Sequence, residues 1–273
     1  MVVEMIKELK HSLKTFFSNK TSALIATVID LAHFFVFASL FAGFATVVLE
    51  HLEKVSEIMA SGSQDVMSEL EIVRGVRDFI DKQPQFVEHY FVIAEYFVYI
   101  MLTAYACWMI FQGVNWWLAN RASGNKENFW RYCLKFFLLN IIVLFILTII
   151  IYIPIFISMI DVFAFLTIIT QFFARLVFYI AFAVLVYFAG IAYALIAKHA
   201  LLRSLKQAFI IGFTRWKELV PAYIIDFVVL YALVFIILFF RESFLAMFLI
   251  TILLFLPTAF WIRILIAEIV NKK

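Results

Sequence analysis

Residues 136–157 read FFLLNIIVLFILTIIIYIPIFI, and only Asn140, Thr148 and Tyr152 bring polar side-chain atoms to that run. A helix rises 1.5 Å per residue, so about 20 apolar residues cross a hydrocarbon core of about 30 Å. The run is long enough to do so. A strand of an outer-membrane barrel would alternate apolar and polar residues, and this run does not alternate. The pattern therefore reads as a spanning helix.

Working outward, six runs of this kind are expected as transmembrane spans, over 23–49, 90–119, 131–158, 175–197, 219–240 and 244–267. The chain has 273 residues, of which 66% are hydrophobic and 15% charged. A soluble domain holds roughly 45–50% apolar and about 25% charged residues. The expected fold class is all-α, a polytopic transmembrane helical bundle with amphipathic interfacial helices, as a single membrane domain over 1–273. The first run exceeds the 7–15-residue core of a signal peptide and lacks a small-residue cleavage site, so it is expected to remain as a span.

Segments between the runs carry their own signals. Over 1–22, Met5, Ile6, Leu9, Leu13, Phe16 and Phe17 form one stripe while Lys7, Lys10 and Lys14 lie elsewhere, the pattern of a basic interfacial helix. Residues 198–217 repeat it with Leu201, Leu205, Phe209, Gly212 and Trp216 against Lys198, Arg203 and Lys206. The 50–89 segment holds nine acids and four bases. Val66, Leu70, Val73 and Ile80, with Arg74–Asp78 and Arg77–Asp81 four apart, predict an amphipathic helix in an external loop. Residues 160–174 are expected as an interfacial or re-entrant piece preceding the fourth span. Each half also opens alike: Ser12-Leu13-Lys14 leads to Asp30, and Ser204-Leu205-Lys206 leads to Asp226, although the spacings of 18 and 22 residues favour coincidence over a parallel repeat.

Cytoplasmic loops collect Lys and Arg. Placing 1–22, 120–135, 198–217 and the end from Arg263 onward on one side gathers four, four, five and three of them, 16 of the 22. Trp116, Trp117, Trp130, Trp216 and Trp261 fall near that same side, where indole rings favour headgroups; Trp108 lies deeper. The expectation is a multi-pass protein of the cell (cytoplasmic) membrane with both termini cytoplasmic. Its partners are the lipid bilayer, with anionic headgroups at the basic helices, and either another membrane protein or a second copy of the chain. The formal charge of +3 is small and not clustered on one solvated face, which argues against nucleic acid.

Ionisable residues inside the runs are the candidate site. Asp30 and Asp226 lie about seven residues from the cytoplasmic ends of their spans, roughly 10 Å deep, and Arg263 shares their level. Unpaired charge in hydrocarbon costs several kcal/mol, so Arg263 is expected to pair with Asp226 on the adjacent span, with Asp30 in reach. His33, one turn from Asp30, completes the candidate polar cluster. The same reasoning pairs Glu95 with Arg175 near the outer surface. Such groups serve either a proton or ion relay or a structural ion pair, and the structural use is the expectation.

Pro257 removes a backbone donor within span six, predicting a kink that frees the Leu253 carbonyl; Pro221 opens span five, where no amide is needed. Ala38 with Ala42, Ser39 with Gly43, and Gly190 with Ala194 are small residues four apart that allow close helix approach. Cys107 and Cys133 have no disulfide or metal spacing and read as buried small hydrophobes. No phosphate-binding loop, His-Glu-x-x-His site or nucleophile elbow occurs. Catalytic, cofactor and metal residues are accordingly none, and the chain is not expected to be an enzyme.

The stretch Phe111-Gln112-Gly113-Val114-Asn115-Trp116-Trp117-Leu118-Ala119, followed by a basic turn and a Phe-rich span, resembles uncharacterised six-helix membrane proteins of prokaryotes, particularly archaeal ones. That resemblance covers about 50 residues and implies a cytoplasmic-membrane location without an activity. A fainter likeness is to the membrane subunits of ABC exporters, which also begin with an interfacial elbow helix and carry six spans. The functional expectation is a non-enzymatic structural or assembly component of the membrane. The alternative is a permease or channel subunit, ABC-type in the case of a separate ATPase.

Overall fold

The structure, a computed structural model, describes residues 2–62, 84–160 and 167–272. Among them every regular element is helical. In chain order these are α1 (Val2–Ser18), α2 (Lys20–Gly62), α3 (Pro84–Ala122), α4 (Phe129–Ile160), α5 (Thr167–Leu195), α6 (Leu201–Thr214), α7 (Trp216–Phe239), α8 (Phe244–Ile250), a π-helical turn (Thr251–Phe255) and α9 (Leu256–Asn271). Six of the helical stretches are long and apolar enough to cross a membrane. The all-α, six-span bundle is thus observed.

Helix boundaries depart from the apolar runs in instructive ways. α2 continues as one helix of 43 residues to Gly62, well beyond the end of the apolar run near 49. Good helix formers with internal pairing carry it there: Lys54 Nζ donates to Glu50 Oε1 one turn back at 2.6 Å. The first part of the expected external loop is therefore an extension of the first span. The expected amphipathic helix around Val66–Ile80 lies outside the described residues. α5 starts at Thr167 and runs through Arg175 without a break, so no separate piece ends at 174. The sequence from 167 to 175 contains neither Gly nor Pro, and nothing local interrupts the helical hydrogen-bond ladder.

The chain divides into two compact units, residues 1–31 with 109–273, and residues 32–108. In the first unit α4 packs along α5, α5 along α6, and α9 against α1, α5 and α7. Its buried residues gather at one end of these helices: Tyr132, Phe136 and Leu139 of α4, residues 192–195 of α5, Leu219 of α7 and Ile262, Leu265, Ile266, Ala267, Ile269 and Val270 of α9. Alanines recur there, and Gly190 lies so close to α7 that an added Cβ would stand 2.2 Å from the Tyr223 hydroxyl. Small residues bring the backbones together, and dispersion across the close contact holds them. Toward the opposite helix ends Phe145, Tyr152, Tyr179, Phe235 and Phe244 are exposed, a surface suited to lipid.

Short connections are built by local chemistry. Gly124, at φ 88°, ends α3 in the left-handed region that side chains avoid. Asn128 then caps α4, its Oδ1 accepting from the Trp130 amide at 3.0 Å. Helices α1 and α2 are joined through Asn19 alone, and α6 and α7 through Arg215 alone. Both halves of the chain therefore open with a short amphipathic helix and a one-residue junction into a span.

α1 is tied to α9 by polar contacts. Trp261 Nε1 donates to Ser12 Oγ at 3.0 Å, Thr15 Oγ1 to Glu268 Oε1 at 2.5 Å, and Lys272 Nζ to Glu8 Oε1 at 2.7 Å. Part of its apolar stripe meets protein, since Leu9 and Phe16 pack on buried clusters, while Ile6, Leu13 and Phe17 remain exposed.

Among the described residues, the second unit holds the remaining lengths of α2 and α3. Phe44 packs edge-on and tilted against Tyr96 and Tyr99, and His51 Nδ1 lies 2.9 Å from His89 Nδ1. Among the described residues Gly43 has open space around its Cβ direction and Ser39 is exposed, so this small pair of span one makes no close helix contact there.

Candidate functional site

Three helical stripes in the first unit converge on one buried polar cluster. On α2, Ala23, Ala26 and Asp30 fall on one face; on α3, Gln112, Asn115 and Ala119 do; on α9, Phe260, Arg263 and Ile264 do. Ala23, Ala26, Leu118, Ala119, Phe260 and Ile264 form a buried apolar cluster beside them. Small residues on α2 and α3 admit the close approach that a carboxylate and an amide need in order to touch.

Within the cluster Arg263 Nη1 donates to Asp30 Oδ2 at 3.0 Å, and Nη2 donates to Gln112 Oε1 at 2.7 Å. Asp30 Oδ1 accepts from Gln112 Nε2 at 3.0 Å and from Asn115 Nδ2 at 2.6 Å. The two charged side chains are only 12% and 6% exposed. A buried pair compensates its desolvation only when extra hydrogen bonds satisfy the remaining lone pairs and protons, and the two amides provide them. One acceptor remains over: Asn115 Oδ1 is buried without a hydrogen-bond partner.

No protein-family model matches this chain, and comparison with curated proteins and with solved structures gave no match.

The residues singled out from sequence are distributed unequally. Arg263 and Asp30 meet. The expected Arg263–Asp226 pair does not form: the guanidinium is taken up by Asp30 and Gln112, and Asp226 Oδ1 is buried without a partner. Adjacency of two spans in the chain does not decide which way their side chains face; the Arg263 face of α9 is turned to α2 and α3. His33 is half-buried and belongs to the second unit, as does Glu95, whose carboxylate accepts from Tyr99 on the next turn. Arg175 is exposed and belongs to the first unit.

Pro257 sits at the start of α9, and the distortion it requires is taken up just before it. Over Thr251–Phe255 the helix widens to a π turn, where the Leu256 amide donates to the Thr251 carbonyl five residues back. The predicted irregularity is therefore a widened turn.

Gln112 and Asn115 were not read as site residues from the sequence. Their signal was two hydrogen-bonding amides three positions apart in an apolar run. A second polar network also escaped. Asn120 Nδ2 donates to the Trp116 carbonyl at 3.0 Å and the Tyr193 carbonyl at 3.2 Å, and Tyr132 Oη donates to the latter at 2.9 Å. Tyr193 Oη reaches Asn140 Oδ1 at 2.8 Å, while Lys135 Nζ bridges Glu127 Oε1 and the Ile196 carbonyl, each at 3.0 Å. Together these pin the 120–135 connection to the end of α5. Among the described residues no group of three or more His, Cys, Asp or Glu is arranged to hold a metal ion.

Proposed function

We propose that the chain is a non-enzymatic structural or assembly component of the cell membrane, with both termini on the cytoplasmic side. The observation that supports this is the satisfaction of Arg263. Its guanidinium is held by Asp30 and Gln112, and Asp30 is held in turn by Asn115, so the charges are spent on one another. A relay needs a group free to change partners, whereas a lock needs groups that are not. The cluster behaves as a lock joining α2, α3 and α9.

Reconstitution of the purified protein into vesicles tests the reading. Under an imposed pH or ion gradient, flux should equal that of protein-free vesicles, and native co-purification with mass spectrometry should recover other membrane proteins or a second copy. Flux above the lipid background, or recovery of a tightly bound ATPase, overturns it.

The second reading is a permease or channel subunit, ABC-type if an ATPase partners it. One observation favours it: Asp226 lies buried in a span with a carboxylate oxygen that has no partner, and such residues often mark ion or proton paths. Under that reading the flux depends on Asp226.

A further inference from the structure

A cavity of about 400 Å³ opens in the first unit between α1, α7 and α9. That is the lower range of cavities that hold small ligands. Leu9, Leu265 and Ile269 give it an apolar floor, and Glu8, Lys217, Glu218 and Lys272 stand around it.

The charges around the cavity do not cancel. Lys272 Nζ is paired with Glu8 Oε1 at 2.7 Å, and Arg215 Nη2 with Glu218 Oε2 at 2.6 Å. Lys217 is exposed and has no carboxylate partner among the described residues; its Nζ stands 6.0 Å from the centroid of the Trp216 ring. After pairing, the rim presents one ammonium group above an apolar floor. Trp216, the neighbour of Lys217 on α7, is exposed, as indoles are at a membrane boundary. A ligand complementary to that arrangement is an anion with an apolar tail.

We propose that this cavity binds the headgroup end of one anionic phospholipid, its phosphodiester on Lys217 and the first part of an acyl chain over Leu9, Leu265 and Ile269. This is a single saturable site, distinct from the diffuse attraction of basic segments for an anionic surface. It rests on the chain being membrane-embedded and on neither of the two functional readings above. Because α1 forms one wall, bound lipid would also hold the N-terminal helix against α9.

The test uses the full-length protein released in mild detergent and native mass spectrometry, with phosphatidylglycerol, phosphatidylcholine, deacylated glycerophosphoglycerol or inorganic phosphate as probe. One phosphatidylglycerol should be retained per chain in preference to phosphatidylcholine. Lys217→Gln, at an exposed position that does not disturb packing, should lower that retention about fivefold, the effect of one basic residue at an anionic surface. Arg203→Gln with Lys206→Gln on α6 should leave it unchanged. Equal retention by wild type and Lys217→Gln, or loss in the α6 variant instead, overturns the site. Competition by glycerophosphoglycerol or inorganic phosphate as effective as by the intact lipid overturns the lipid assignment in favour of a soluble anion.

Discussion

Arg263 and Asp30 are 233 positions apart in the chain and 3.0 Å apart in space, with Gln112 of a third helix touching both. Asp30 is buried and Arg263 is only 12% exposed, so either one alone is a liability. Asp30→Asn and Arg263→Gln should each destabilise the protein by about 3–5 kcal/mol, the usual consequence of leaving one member of a buried pair. The double variant should lose less than the sum, and Asp226→Asn should cost little, because Asp226 Oδ1 has no hydrogen bond to lose. Thermal unfolding in detergent measures all four. Wild-type stability in either of the first two, or strict additivity, would show that the contact is not a lock.

Gly190 of α5 faces the Tyr223 hydroxyl of α7. A Cβ at Gly190 would stand 2.2 Å from the Tyr223 hydroxyl, which donates to the Tyr187 carbonyl at 3.1 Å. Gly190→Ala should therefore cost about 1–3 kcal/mol through overpacking. Tyr223→Phe removes the colliding oxygen and should recover part of that loss when combined with it. A Gly190→Ala protein as stable as wild type would mean the helices can separate freely.

In the second unit, His51 and His89 share one hydrogen bond between facing helices, their rings 4.9 Å apart. His89→Ala should loosen this unit locally. Amide exchange should quicken near 44–58 and 84–99 while the first unit keeps its protection. Unchanged exchange around Phe44 and Tyr96 would count against the pair as a fastening.

Burial lowers the His199 imidazole from its ordinary value of 6.5, and the nearby charges of Arg203, Lys198 and Lys135 act in the same direction. The folded chain thus disfavours the cation, and the unfolded chain takes up the proton first. The group contributes nothing above about pH 6.5 and subtracts stability as the pH falls through that value toward its lower folded one. His199→Gln should flatten the decline in melting temperature between pH 7.5 and 5.5. A steeper decline in the variant would reverse the assigned sign.

Much of the architecture was legible because its causes are local. Twenty successive apolar residues demand a helix in lipid whatever surrounds them, so 136–157 and its five counterparts could be placed directly. Position along each helix was legible too, since it is a count of residues. Rotation about each helix axis was not. Asp226 and Asp30 were both expected within reach of Arg263, and only the packing of α9 on α2 and α3 chooses between them. Gln112 and Asn115 stayed hidden because an uncharged amide gives no cost signal strong enough to mark it in an apolar run, although it supplies the bonds that make the buried pair tolerable.

By itself the sequence determined the membrane character, the helical class and the number of candidate spans. Each follows from composition, or from one-dimensional spacing multiplied by a fixed helical rise. The tertiary structure alone decided that Arg263 closes on Asp30, that Asp226 is left with an unpartnered oxygen, and that α1 is strapped to α9. Those outcomes depend on which helices touch and which faces they turn to one another. That choice is made by small residues such as Ala26, Ala119 and Gly190, through packing across hundreds of positions of chain.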